Sequence, residues 1–218
     1  MCLSLRPKGE CLLKMTIATK RKADDLDSNE QHYDDVDIDF DFFDIVQEDR
    51  DTIEFHLSRL LPDHDKLIDT VMEKKLGSVI KVDNEILGLI SAVPLHSVPT
   101  SIVTKPEGSD DNTWFILYER LINMPWQTSV PMLKLLLEEN ELNKAHSFVL
   151  YSKCDTQMIQ RKANKRAKCI YEYVHCEDEI LFEGVVQKSI HFKKEERVYG
   201  LITRASLVSN VKKLESKL

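Results

Sequence analysis

The sequence predicts an α/β fold, and three observations carry that prediction. Short runs rich in Val, Ile, Phe and Tyr read as strands, and apolar residues three and four apart mark helices between them. The stretch GSVIKVDNEILGLISAVPL (77–95) breaks at Asp83–Asn84, the composition of a tight turn, and so reads as a β-hairpin. The whole has 42 % hydrophobic and 31 % charged residues, enough apolar side chains for a core under a water-compatible surface.

Taken in order, residues 1–34 read as a disordered tail, basic and then acidic. TKRKADDLDSNEQHYDD has too few apolar side chains to offset the entropy of ordering. Met15 opens a more ordinary start than Met1. Residues 35–218 read as one domain. It begins with DDVDIDFDFFDIV, where alternation places Val36, Ile38, Phe40 and Phe42 on one strand face and Asp35, Asp37, Asp39 and Asp41 on the other. RDTIEFHLSRLL reads as a helix ended by Pro62, with Asp63 placed to cap the next helix, HDKLIDTVMEKK. After the hairpin, residues 96–113 read as a loop rich in turn residues, and WFILYE as a strand.

The following segment, ERLINMPWQTSVPMLKLLLEE, is a strand–turn–helix joint. Pro125 keeps Met124 extended, Thr128 or Ser129 caps the helix, and Pro131 sits in the first turn, where its missing N–H costs little. Trp126 in this joint is a candidate surface anchor or a packing residue. HSFVLYSK, CIYEYVH, QKSIHF and VYGLITR read as further strands, with a short element, EDEILFEG, among them. The chain closes on a helix striped by Leu207, Val211, Leu214 and Leu218.

Charge is unevenly placed. Residues 1–49 hold six basic and thirteen acidic groups, which is the whole net charge of −7, and residues 50–218 hold twenty-four of each. The acidic strand is open to two readings: a solvated edge, whose like charges discourage aggregation, or a docking strip for a basic protein. An EF-hand is excluded, because Phe40 stands where its loop needs glycine and Val46 where it needs glutamate. Five cysteines without CxxC spacing argue against a disulfide framework. Cys169, His175 and Cys176 lack the ligand pairs of a zinc site. His146, His175 and His191 lie at or near apolar strands and read as packed histidines. Two basic clusters are nuclear-import candidates: Lys20, Arg21 and Lys22, and the run holding Arg161, Lys162, Lys165 and Arg166. No apolar run reaches the roughly 18 residues of a membrane helix. The zero net charge of residues 50–218 and the lack of aromatics in the basic run argue against direct nucleic-acid binding.

Four blocks, VDIDFDFFDI (36–45), the hairpin 77–95, LYERLINMPWQTSVPMLKLL (117–136) and VYGLITRASLVSNVKKLESKL (198–218), resemble the BCCIP/Bcp family. The third is the most specific, with L-x-E-R-x-I-N-x-P and then P-M before the helix. The resemblance implies a mixed, largely antiparallel central sheet flanked by helices, similar to the GNAT acyltransferase fold without a CoA site. Consistent with that, QRKANKRA (160–167) carries Asn164 and Arg166 where a phosphate cradle wants small residues, and no glycine occurs from Asp110 to Glu183. The resemblance further implies a non-enzymatic, cofactor-free chaperone and adaptor for a newly made, basic large-subunit ribosomal protein. Such a protein acts in ribosome biogenesis, works with nuclear transport factors, and shuttles between nucleus and cytoplasm. It also implies, more distantly, binding of cell-cycle or DNA-repair regulators. The alternative reading is a degenerate acetyltransferase-like enzyme.

Overall fold

The computed structural model describes the backbone of residues 3–5, 11–20, 33–159, 168–192 and 195–218, and the side chains of residues 40–154, 172–185 and 196–218. Ten strands form one sheet: β1 (Leu3–Leu5), β2 (Cys11–Lys20), β3 (Tyr33–Asp44), β4 (Gly77–Val82), β5 (Glu85–Pro94), β6 (Thr113–Arg120), β7 (Ser147–Ile159), β8 (Lys168–Tyr173), β9 (Val186–Phe192) and β10 (Glu195–Thr203). Their order is β1-β2-β3-β4-β5-β6-β7-β10-β9, with β8 paired to β7 beside that path. Among the described residues every pairing is antiparallel except β6 with β7. The architecture is therefore the mixed, largely antiparallel sheet that was expected.

Helices cover both faces. α1 (Arg50–Leu60) and α2 (Asp65–Lys74) pack over β5 and β6, while α3 (Ser129–Glu138), α4 (Asp178–Leu181) and α5 (Arg204–Glu215) lie on the opposite face. Each layer has its own apolar cluster, one built around Ile53, Leu57, Leu67 and Phe115, the other around Phe42, Leu133, Phe148 and Leu207. Two clusters follow from the strand period: β6 sends Phe115 and Leu117 to one and Ile116 to the other.

Local chemistry fixes the register. Asp83 and Asn84 both take positive φ (51° and 66°), the pair of left-handed residues that a two-residue hairpin turn requires. Gly77 has φ +100°, and a Cβ there would lie 2.1 Å from the Ile90 carbonyl oxygen, so only glycine allows β4 to start against β5. Asp63 does not cap α2. His64 holds that position, and the Asp63 carboxylate accepts a hydrogen bond from Ser101 Oγ instead. Thr128 precedes α3 but turns its hydroxyl back to donate to the Pro125 carbonyl, and Pro131 falls in the first turn. Leu207, Val211 and Leu214 are buried, whereas Leu218 at the chain end is exposed.

The N-terminal region differs from the tail that its composition suggests. β2 pairs antiparallel with β3 along its length, Lys14 opposite Asp39 and Thr16 opposite Asp37, and β1 pairs with β2. The physical reason is the edge of β3, a row of main-chain donors and acceptors that a second strand, with Leu12, Leu13, Thr16, Ile17 and Thr19, can satisfy. Residues 21–32, the most polar part of that region, lie outside the described residues.

Candidate functional site

The parallel pair is the unusual feature of the sheet. β6 and β7 keep register only from Thr113–Ser147 to Phe115–Val149 and then diverge. Along the same edge, β7 is next paired at Cys154, with Tyr173 of β8. Residues 150–153 between those points have no strand beside them on that edge among the described residues. The chain leaving β8 fills the split: Val174 N–H donates to the Lys153 carbonyl, and residues 175–182 enter between the diverging strands.

What enters is charged, and it is met by charge. Glu177 is buried and accepts from Arg120 Nε (2.7 Å) and Nη2 (2.8 Å), a two-pronged pair, and from Tyr118 Oη (2.6 Å). Arg120 Nη1 donates to the carbonyls of Met124 (2.7 Å) and Leu121 (3.3 Å), tying the joint after β6 to the same centre. Burial pushes the Glu177 carboxyl up, but the Arg120 guanidinium outweighs it and holds the carboxyl below its ordinary value. Burial likewise opposes the Arg120 charge, and Glu177 more than restores it. The neighbouring Asp178 accepts from Ser152 Oγ on β7, so α4 is attached to both strands. Among the described residues Asp178 forms no ion pair, and the His175 and Arg120 charges offset its burial only in part. Burial, reinforced by the Glu177 charge, raises its carboxyl to about 7.

The opposite face carries a second pair. Lys153 Nζ donates to Glu119 Oε1 at 2.5 Å, and both side chains are almost fully buried. Burial pushes Glu119 up, but His175 and Lys153 facing it outweigh that and lower its pKa. His175 lies beside this pair, its Nε2 3.9 Å from Glu119 Oε2, beyond hydrogen-bond range. Its two ring nitrogens and Glu119 Oε2 are buried without a hydrogen-bond partner among the described residues. A void of about 10 Å³ remains between Ile116, Leu133, Leu150 and Asp178, room for about one water and no more. The split is thus packed by the chain itself, with every acid facing a base, a hydroxyl or an imidazole.

The partner-binding and nuclear-import candidates read from the sequence lie elsewhere, whereas His175 and Cys176 fall at the split. The backbone places positions 35, 37, 39 and 41 on one face of β3 by alternation, with Phe40 and Phe42 buried on the other. Of the four aspartates only the Asp41 side chain is described; it is half-buried and its register partner is Lys81. Lys81 itself pairs with buried Asp49 at 2.7 Å, so that acid is neutralised within the domain. Trp126 is half-buried against the cluster under α3. Lys20 ends β2, with its side chain outside the described residues. Arg21, Lys22, Arg161, Lys162, Lys165 and Arg166 lie outside them altogether, as does the candidate phosphate loop 160–167. His175 is buried, as expected of a packed histidine. His146 is instead exposed, with Nδ1 2.8 Å from Asp110 Oδ2, and the His191 side chain is not described. Cys176 is exposed and donates to Glu177 Oε2 at 3.7 Å, and burial, with the Glu177 charge, raises its thiol pKa.

The charges at the split were the part that sequence patterning missed. From the sequence, Glu119 reads only as the end of the strand WFILYE, Arg120 as part of the joint that follows it, and Glu177 and Asp178 as part of the short element EDEILFEG. The available signal was two adjacent ions closing WFILYER and three consecutive acids, Glu177 to Glu179, just before the apolar Ile180, Leu181 and Phe182.

A second feature is a cleft of about 200 Å³ on the α1–α2 layer, walled by the loop between β5 and β6. Leu95, Val98 and Val103 form its apolar walls, and Lys105, Asp110 and Asp111 stand at its rim.

Comparison with known proteins agrees with the blocks read from the sequence. The BCCIP family model matches residues 98–181, the segment that runs from the cleft through the split to α4. Protein BCP1 of Gibberella zeae is 27 % identical over 241 residues, spanning 87 % of this chain and 83 % of that protein. The crystal structure of BCP1 from Saccharomyces cerevisiae shares the fold, with a TM-score of 0.59 at 20 % identity, covering 82 % of this chain and 88 % of that one. A putative acetyltransferase from Acinetobacter baylyi ADP1 aligns at a TM-score of 0.46 and 14 % identity, covering 75 % and 91 %. The family match, the relative and the shared fold all agree with the resemblance read from the sequence: along most of its length the chain is similar to BCP1 proteins of the BCCIP/Bcp family.

Proposed function

We propose that the protein is a non-enzymatic chaperone and adaptor that covers a newly made, basic large-subunit ribosomal protein and accompanies it through nuclear transport into ribosome assembly. The similarity to BCP1 and to the BCCIP family model supports a BCP1-type role. The observation that carries the finer reading is the acidic strand β3. Alternate residues on a strand are about 7 Å apart, within the Debye length of about 8 Å at physiological salt. Four aspartates at alternate positions of β3 therefore act together on a cationic partner. A ribosomal protein away from its RNA presents that kind of surface. The filled split favours a binding protein over an enzyme, since the void left there is too small for a substrate.

The test is affinity purification from the native cell with mass spectrometry, followed by binding measurements across a salt series. A stoichiometric basic ribosomal protein is expected, and its affinity should fall with salt. Changing Asp35, Asp37, Asp39 and Asp41 to Asn should weaken binding and flatten the salt dependence. Normal binding by that variant at low and moderate salt would remove β3 from the mechanism, and the absence of any such client would remove the chaperone reading.

A further inference from the structure

We propose that the cleft walled by the β5–β6 loop is an anchor pocket for one arginine side chain of the basic client. This deepens the chaperone reading and rests on it. At about 200 Å³ the cleft falls below the roughly 300–1,000 Å³ of small-molecule sites, and it suits a single long side chain. Leu95, Val98 and Val103 are nearly buried and give the methylene stem of an arginine an apolar wall. The rim supplies the charge. Asp110 is already engaged, through Oδ1 by Asn112 N–H and the Thr113 hydroxyl and through Oδ2 by His146. Asp111 is exposed and makes no hydrogen bond or ion pair among the described residues, which leaves its carboxylate open to a guanidinium fork.

Residues 105–112, KPEGSDDN, hold one lysine and three acids, 1 − 3 = −2, so the loop favours a cation. Arginine suits it better than lysine because guanidinium is planar and less tightly hydrated. Lys105 at the same rim is also unpaired among the described residues and opposes the entering charge, which gives the proposal a test of sign. The cleft and positions 35–41 of β3 belong to the same layer, since Phe43, on the aspartate side of that strand, packs against the cluster that also includes Val98 and Val103. One client can therefore meet both.

The experiment uses the full chain, labelled with nitrogen-15 and titrated with N-acetylarginine amide or with N-acetylcitrulline amide, its uncharged isostere. The arginine compound should shift amide resonances of residues 95–111, and the citrulline compound should not. Asp111→Asn should weaken the arginine titration about fivefold, and Lys105→Gln should strengthen it about twofold, as charge-assisted contacts dictate. Equal shifts from both compounds, shifts confined to other residues, or no change on Asp111→Asn would overturn the pocket. A second arm adds large-subunit proteins extracted from ribosomes. If the wild type retains a basic protein and Asp111→Asn retains it equally, the pocket fails and the chaperone reading stands. If the wild type retains none, the chaperone reading fails, and the amide titration still decides the pocket.

Discussion

The split between β6 and β7 and the cleft beside β5 use the same residue types to opposite ends. At the split, Arg120, Glu177, Glu119 and Lys153 are buried and answer one another. At the cleft, Lys105 and Asp111 stand in water with no partner among the described residues. A buried charge must be paired or it costs several kcal/mol, so the first set is committed to holding the fold. An exposed charge costs little to leave unpaired, so the second set is available to a partner. Burial, more than residue type, separates charges that build this molecule from charges that can recognise another.

Three substitutions test that division, in order of expected size. Glu177→Gln leaves Arg120 buried without its counter-ion and should destabilise the protein by about 3–5 kcal/mol, read as a shift in the urea midpoint. A loss below about 1 kcal/mol would mean that the split is not held by charge. Asp178→Asn comes next and acts through pH. With its carboxyl held up to about 7 and an ordinary value of 3.8, the folded chain keeps a proton that the unfolded chain has already released. Stability is thus lost as pH rises from about 4 to 7, and ionised Asp178 costs on the order of a few kcal/mol above that window. The amide should remove this slope, making the variant more stable than wild type at pH 8 but not at pH 4. Identical urea midpoint profiles against pH would contradict the assignment. Glu177 works in the other sense: its lowered pKa gives stability that is present above its unfolded value and lost as pH falls through the folded one.

The smallest effect belongs to the exposed charges. Asp111→Asn should move the melting temperature by no more than about 0.5 kcal/mol would produce, whatever it does to client binding. A large loss there would place Asp111 with the structural charges and erase the distinction.

The contrast also explains what could be read in advance. The hairpin was legible because Asp83 and Asn84 both sit in left-handed backbone that few residues accept. The inward face of β3 was legible from the alternation that buries Phe40 and Phe42. The split was not, because its partners stand far apart in the chain: Arg120 meets Glu177 across 57 residues and Glu119 meets Lys153 across 34. Periodicity reports which face a residue occupies and says nothing of which distant ion it will meet. The cleft was seen only as a loop, since Leu95, Val98 and Val103 follow no helical or strand period.

The split also bears on the order in which the molecule assembles. α4 cannot dock until β6 and β7 are both in place, because Glu177 at its N-cap binds β6 and Asp178 in its first turn binds β7. The β4–β5 hairpin, joined by two residues, faces no such delay. Contacts formed after the folding barrier act on the rate of leaving the native state and not on the rate of reaching it. The Arg120–Glu177 pair is then a late-closing clasp: its removal should steepen the loss of native molecules with time while refolding proceeds at its former pace, a kinetic lifetime set by two side chains that touch no ligand.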